Sequence, residues 1–213
     1  MSILAKNNFN NSNVAQITPS GTHIARCFQI IHIGTIPETF QGIEKMMEKV
    51  RLVFELPLEL VDMGKGEKPY IIGKEFTLSM HEKSSLRAFV QGWLGRAFSD
   101  YEANKFDIST LMDKECMLNV IHRTATSGKT YAEIKGASPM VKGMVCPPMI
   151  NNPFVLDYDS KDFDTNFQIL PKWIQDKISS SKEYIHRKEQ MQKNDNSQSN
   201  LFDDRNDSAD LPF

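Results

Sequence analysis

The sequence predicts a mainly β protein built on a five-stranded barrel, with helices added to it. Three observations lead to this prediction. Three segments between residues 21 and 80 alternate apolar and polar side chains, as β-strands require, and two more do so between residues 115 and 140. A segment with helical periodicity separates the two groups. Residues 143–213 are poor in such patterns, which favours a linker, one helix and a tail over a second domain.

The first three strands follow an Asn-rich arm. Residues 1–20 have no apolar periodicity, so we expect them to be flexible. The segment HIARCFQIIHIG, residues 23–34, is rich in β-formers and ends at a glycine. In KVRLVFEL, residues 49–56, every second residue is apolar, which predicts a half-buried strand with a basic start to its outer face. The third strand, residues 70–80, contains Gly73, which suggests a bulge.

A helix and two more strands complete the predicted domain. Ser84 or Ser85 is suited to cap a helix that ends at Gly95. Its apolar side chains recur every three to four residues, and Trp93 among them is assigned to the core rather than to a stacking surface. The segments ECMLNVIHR and KTYAEIKGASPM then read as strands joined by a TATSG turn. This order, three strands, a helix and two strands, is the arrangement of the OB-fold, a small barrel that commonly binds single-stranded nucleic acid or oligosaccharide.

The domain boundaries follow from these patterns. We expect an arm over residues 1–20, the OB-fold domain over 21–142, a linker and helix over 143–190, and a disordered tail over 191–213. Pro171 marks the start of that helix, since proline is favoured at the first helical position. Residues 143–213 carry eight Lys and Arg against twelve Asp and Glu, so the tail is acidic and the body slightly basic. Such asymmetry fits either a polyanion-binding body with an acidic arm or an ordinary mixed surface.

Several functional classes are disfavoured by the residues present. There is no apolar run long enough to span a membrane and no secretion signal, which predicts a cytoplasmic protein. Cys27, Cys116 and Cys146 are odd in number and widely spaced, which argues against disulfides and zinc. The TSGKT segment has Arg123 where a phosphate-binding loop needs glycine, so we interpret it as a hairpin turn. We therefore expect no enzyme activity, metal or cofactor.

Cations and aromatic side chains on the predicted strand faces indicate the most informative candidate site. Single-stranded nucleic acid binders combine cations that follow the phosphates with flat side chains on which bases stack. A second cluster of cations precedes the predicted helix, whose N-terminal amides are suited to hold a phosphate. A solvated surface is the alternative for each residue, and the core is the alternative for Phe76. The candidates are Lys49, Arg51, Lys74, Phe76, His81, Lys83, Arg87, Arg123, Lys129, Tyr131 and Lys135.

The chain ends in DDRNDSADLPF, a flexible acidic segment with an apolar ring and a carboxylate at its end. This segment resembles the acidic tip of bacterial single-stranded DNA-binding proteins, which typically ends in Asp, Asp, Asp, Ile, Pro, Phe. Leu211 replaces the isoleucine, and the aspartates are scattered rather than consecutive. The resemblance implies that the tip binds replication, recombination or repair proteins. Its residues are Asp203, Asp204, Asp207, Asp210, Leu211, Pro212 and Phe213.

The body carries a second resemblance. The segments KEFTLSMHEKSSLR, GKTYAEIKGASPM and LPKWIQDKI are similar to single-stranded DNA-binding or OB-fold replication proteins of tailed bacteriophages and prophages, over about residues 25–178. Unlike the bacterial proteins, this chain lacks a recognisable tryptophan platform on the sheet. The resemblance implies sequence-nonspecific binding of single-stranded DNA in the host cytoplasm, by a chain that could form a homo-oligomer. A protein-interaction adaptor and an RNA-binding regulator are the alternatives.

Overall fold

The computed structural model describes residues 17–40, 42–62, 64 and 66–203. These residues form six strands and five α-helices, together with a 3-10 turn at Ile108–Leu111. The strands are β1 (Gly21–Phe40), β2 (Ile43–Asp62), β3 (Glu67–Thr77), β4 (Glu115–Thr124), β5 (Thr130–Ser138) and β6 (Phe154–Leu156). The helices are α1 (Ser85–Leu94), α2 (Asp100–Asn104), α3 (Phe163–Gln168), α4 (Lys172–Ser179) and α5 (Lys182–Asp203).

The strands make one sheet in the order β3, β2, β1, β4, β5, and all of these neighbours are antiparallel. The short β6 pairs in parallel with β1. The mainly β class and the helical insertion between the third and fourth strands are therefore confirmed. Closure of the barrel is not, because β3 and β5 share no ladder of backbone hydrogen bonds among the described residues. At this seam, the Lys74 ammonium instead donates to the Ile134 carbonyl at 2.6 Å.

The first core lies between the sheet and α1. Val50, Leu52, Phe54 and Leu56 are each at most 1% exposed, as the alternation in β2 predicts. From the other side, α1 buries an apolar stripe that includes Trp93, whose Nε1–H donates to the Glu115 carbonyl at 2.9 Å. Ser84 caps this helix and Gly95 ends it in a left-handed conformation, as predicted. Trp93 is 2% exposed, so its assignment to the core is correct.

A second core covers the opposite face of the sheet. A register shift in β1 between Cys27 and Gln29 changes which residues face which side. Phe28 at the shift, and Ile31 and Ile33 after it, pack with the apolar side chains of β6, α3 and α4. The outer face of β2 is covered as well, since Val53 is 5% exposed. The prediction that β2 is half-buried is thus wrong, because the C-terminal helices cover the face that was expected to meet water.

The predicted C-terminal helix is two helices, with Ser180 and Ser181 between them. Ser181 Oγ accepts a hydrogen bond from the Tyr184 N–H at 3.2 Å and so caps α5. The Glu183 carboxylate binds the N–H and Oγ–H of Thr35 on β1, both at 2.6 Å. Burial alone would raise the pKa of Glu183, but these hydrogen bonds outweigh it and lower the pKa. The start of α5 is therefore fixed to the sheet.

The end of the chain differs in part from the disordered tail predicted over 191–213. Helix α5 continues to Asp203, although its second half is rich in Asn, Ser and Gln. Residues 204–213 lie outside the described part of the chain, so disorder there stays a prediction. The same holds for residues 1–16 of the arm predicted over 1–20.

Candidate nucleic-acid interface

A groove of about 540 Å³ lies where β2, β3 and β5 meet. We call it the strand groove. Its wall includes two tyrosines, Tyr70 and Tyr131, and three cations, Arg51, Lys68 and Lys129. The chain enters β1 beside it, since Ile17 and Thr18 line one end and the Thr18 carbonyl is held by His122 Nε2 at 2.9 Å. The structure therefore brings three of the predicted residues together, namely Arg51, Lys129 and Tyr131.

The β4–β5 hairpin presents Lys129 and Tyr131 to the groove. The turn between the two strands is closed by a backbone hydrogen bond from the Ala125 N–H to the Lys129 carbonyl at 2.9 Å, as expected for a hairpin rather than a phosphate loop. Tyr131 is 43% exposed, while Ile134 on the same strand is buried. The outward orientation predicted for Tyr131 is therefore confirmed. Among the described residues, no carboxylate lies within ion-pair distance of Lys129 or Lys68.

Arg51 forms the floor at one end of the groove. Its guanidinium lies over Gly73, where a Cβ atom would approach Nη2 to 2.6 Å. Gly73 pairs in register with Val53, so it makes room for Arg51, and the predicted bulge at Gly73 is wrong. The guanidinium is 4.9 Å from the centre of the Trp173 ring and 3.5 Å from Glu75. Burial lowers the pKa of Arg51, and the attraction of Glu75 opposes that shift.

Other predicted cations are already paired. Lys49 is 8% exposed and binds Glu38 at 2.8 Å, so the basic start of the β2 outer face is neutralised within the β1–β2 hairpin. Lys74 lies 4.0 Å from Glu133, and its donation to the Ile134 carbonyl ties it to the seam. Burial lowers the pKa of Lys74, while Glu133 acts in the opposite direction. Arg123 pairs with the same Glu133. These three cations are less available to phosphates than the strand pattern suggested.

Phe76 and Arg87 are structural residues. Phe76 is 2% exposed and packs against Phe89, so burial supports the core alternative for it. The Arg87 side chain turns inward and donates to the Phe98 carbonyl at 2.7 Å and the Met80 carbonyl at 3.2 Å. It also reaches Asp100 and Gln91. The helical insertion therefore uses the Arg87 charge internally, and its burial leaves no free guanidinium for a phosphate.

The remaining members of the junction before α1 are exposed. His81 and Lys83 lie in the loop between β3 and α1, where His81 Nδ1 accepts a hydrogen bond from the Lys83 N–H at 3.2 Å. Ser79, Met80 and His81 line a separate cavity of about 580 Å³ with residues of α2 and the 3-10 turn. Lys135 is exposed near the seam between β3 and β5. His81, Lys83 and Lys135 do not line the strand groove.

The sequence patterns did not identify three residues of the site, namely Lys68, Tyr70 and Trp173. Lys68 follows a turn rich in glycine, where an exposed lysine has no distinguishing pattern. Tyr70 shares its face of β3 with the buried Ile72 and Phe76, so the strand pattern favours a place in the core for it. Trp173 belongs to the apolar stripe of α4, yet it is 49% exposed and its neighbour Ile174 fills the core. Only its place two residues after Pro171, in the first turn of a helix, distinguished it.

The described residues also bear on metal binding, membrane insertion and thiol reactivity. They contain no group of three or more His, Cys, Asp or Glu side chains arranged to hold a metal ion, and none of their helices has the length and apolar character of a membrane span. Burial raises the pKa of the Cys27 thiol to about 12 and that of Cys116 further. These thiols are therefore protonated at neutral pH and poorly suited to nucleophilic attack.

Nearly all of the predicted partner-binding tip lies outside the described residues. Asp203 is the last residue of α5, and Asp204, Asp207, Asp210, Leu211, Pro212 and Phe213 lie outside the described residues. Comparisons of the chain with protein-family models, with curated proteins and with solved structures found no match.

Proposed function

We propose that this protein binds single-stranded DNA in the strand groove, largely without regard to sequence. The observation that carries this proposal is the convergence of Lys68 and Lys129, which have no carboxylate partner among the described residues, with the exposed ring of Tyr131 in one open groove. Such a combination meets both requirements of single-strand binding, because phosphates need cations and every base offers a face for stacking.

The lysines and the tyrosine of the groove have different roles in this binding. Lys68 and Lys129 neutralise phosphates, so binding releases counterions and weakens as salt rises. Tyr131 supplies a stacking surface, a contribution that depends little on base identity. A duplex keeps its bases paired and stacked, so it cannot use Tyr131 in this way. The protein therefore protects single strands and removes their secondary structure, as replication and recombination require.

Two features support an OB-fold of the type found in phage single-stranded DNA-binding proteins. The strand order β3, β2, β1, β4, β5 becomes the OB-fold order when β3 and β5 close the barrel, and α1 lies between the third and fourth strands, where that fold has its helix. The Lys74 hydrogen bond to Ile134 already joins the two edge strands. In that family, the site of action is the cytoplasm of the bacterial host.

Fluorescence anisotropy with labelled oligodeoxythymidine, oligouridine and duplex DNA tests the proposal at two salt concentrations. We expect tight, salt-dependent binding of oligodeoxythymidine and weaker binding of duplex. Preference for oligouridine would instead support an RNA-binding regulator. Absence of salt-dependent binding to all three ligands would contradict nucleic-acid binding and favour a protein-interaction adaptor.

We further propose that the C-terminal tip recruits replication, recombination or repair proteins. An apolar ring that follows several aspartates suits a hydrophobic pocket rimmed by Arg or Lys, and the aspartates add attraction that salt screens. Deleting Leu211–Phe213 should weaken capture of a tip-binding nuclease or helicase about tenfold or more, because the Phe213 ring contributes about 1.5 to 3 kcal/mol when buried. Unchanged capture in a pull-down with the truncated protein would contradict this role, and affinity for oligodeoxythymidine should not fall.

A further inference from the structure

We infer that a second cavity, walled by Trp173 of α4, is a base-binding subsite that extends the strand groove onto the C-terminal helices. The inference rests on the proposed function, since it takes the occupant to be an unpaired base of the strand held in the groove. It gives α4 a direct part in DNA binding, whereas the sequence placed that helix outside the binding domain.

The subsite is continuous with the strand groove. It has a volume of about 390 Å³, and Arg51, Ile71 and Asn151 line both cavities. A strand that leaves Tyr131 therefore passes Arg51 before it reaches Trp173. Arg51 at this junction is placed to contact a phosphate between the two stacking positions.

Trp173 is exposed, unlike the other apolar side chains of α4. Ile174 and Ile178 on the same helix are 3% and 0% exposed and hold it in the second core. Trp173 is 49% exposed beside Ile169 at 64% and Ile71 at 49%, which together form an apolar patch at the mouth of the cavity. The helix is thus anchored by its buried side, and the indole is available for stacking without any rearrangement of the core.

The charges around Trp173 favour a base of an anionic strand as the occupant. The Arg51 guanidinium and the Lys177 ammonium lie 4.9 Å and 5.8 Å from the centre of its ring. Glu75 pairs with both cations, at 3.5 Å and 2.7 Å. Cations beside an exposed ring are the combination that single-strand sites use, with the phosphate on the cation and the base on the ring. An apolar peptide would gain little from these cations.

A buried carboxylate fixes the wall that the two cavities share. Glu55 is 0% exposed and accepts hydrogen bonds from the Ile150 N–H at 2.8 Å, the Asn151 N–H at 2.9 Å and Asn151 Nδ2 at 2.7 Å. These bonds hold the segment rigidly against β2. The neighbouring Asn152 is exposed and lines the subsite, where its amide can meet the polar edge of a base.

Tryptophan fluorescence tests the subsite in the full-length protein, because Trp93 is buried and serves as an internal reference. Oligodeoxythymidines of about 4 to about 16 nucleotides are titrated into the parent protein and into Trp173→Phe. We expect quenching in the parent that Trp173→Phe loses, since only the exposed indole meets a base. Anisotropy of Trp173→Ala should show affinity reduced about tenfold for long oligomers and less for the shortest, which fill the strand groove alone. Ile185→Ala is the matched control, because Ile185 is also 49% exposed but lies on α5, away from both cavities.

The outcomes distinguish a failure of the subsite alone from a failure of the proposed function. Salt-dependent binding to the parent without quenching, and with unchanged affinity in Trp173→Ala, would overturn the subsite and leave the groove intact. An equal loss in Trp173→Ala at every oligomer length would also overturn it, because Trp173 would then act on the whole site. Failure of the parent to bind any oligodeoxythymidine would overturn both the proposed function and the subsite.

Discussion

The strand groove and the junction between β3 and α1 both concentrate cations, but Arg87 at the junction and the two lysines of the groove have opposite environments. At the junction, Arg87 is 8% exposed and donates to the carbonyls of Met80 and Phe98. In the groove, Lys68 and Lys129 are exposed and have no carboxylate at ion-pair distance among the described residues. The Arg87 charge stabilises the fold, whereas the charges of Lys68 and Lys129 are available to a ligand.

A cation in the sequence is informative about binding only when its internal acceptors are known. Arg87 has several such acceptors, whereas the described part of the chain offers no carboxylate to Lys68 or Lys129. Arg51 is intermediate, since it pairs with Glu75 but also borders two open cavities. Under the proposed function, the competition between internal acceptors and phosphates sets how much each cation contributes to DNA binding.

The largest expected effect concerns Arg87 and the stability of the fold. Arg87→Met should lower the free energy of unfolding by about 2 to 4 kcal/mol, because buried carbonyl groups lose their donors. Urea denaturation measures this change. The matched control is Arg96→Met in the same helical region, which breaks an exposed pair with Glu102 and should destabilise the fold much less. Equal effects of the two substitutions, or a loss of DNA affinity by folded Arg87→Met, would remove the contrast between the two regions.

The next effect concerns stacking on Tyr131. Tyr131→Ala should weaken binding of oligodeoxythymidine by about tenfold, the equivalent of one lost stack of about 1 to 3 kcal/mol. The dependence of affinity on salt should not change, since no cation has been removed. Tyr101→Ala is the control, because Tyr101 on α2 is 69% exposed and does not line the groove. Anisotropy titrations that showed the same affinity for both variants would place the stacking surface elsewhere.

The smallest effect tests the intermediate position of Arg51. Glu75→Gln should raise DNA affinity by about threefold, because Arg51 and Lys177 lose the carboxylate that competes with phosphate. Glu82→Gln removes the same charge at the exposed junction and serves as the control for long-range effects. A fall in affinity with Glu75→Gln would mean that Glu75 is needed to hold these cations in their binding positions.

Much of the fold followed from periodicity, and the exceptions have a common cause. Alternation identified the inner face of β2, and helical spacing identified α1 with Trp93 in the core. It did not reveal that Phe28 and Val53 lie in a second core, because a single register shift reverses the faces of a strand and the covering helices come more than 100 residues later in the chain. Local patterns carry no record of such distant packing.

The candidate site was predicted less completely, for the same reason. Outward alternation correctly placed Tyr131, since it depends only on the strand itself. It could not show that Lys49 is paired with Glu38, that Arg87 turns inward, or that Trp173 from α4 meets Arg51 from β2. Whether a charge is free depends on neighbours from other elements, which the strand pattern does not contain.

The salt dependence of oligodeoxythymidine binding, compared between the parent and the double variant Lys68→Gln/Lys129→Gln, tests the central claim most directly. The logarithm of the association constant falls linearly with the logarithm of salt concentration, with a slope of about 0.7 per phosphate contacted on a single strand. We predict a steep slope for the parent and a slope shallower by about 1.4 for the double variant, with its unfolding free energy unchanged. The same slope in both proteins would contradict the assignment of the strand groove as the DNA-binding site.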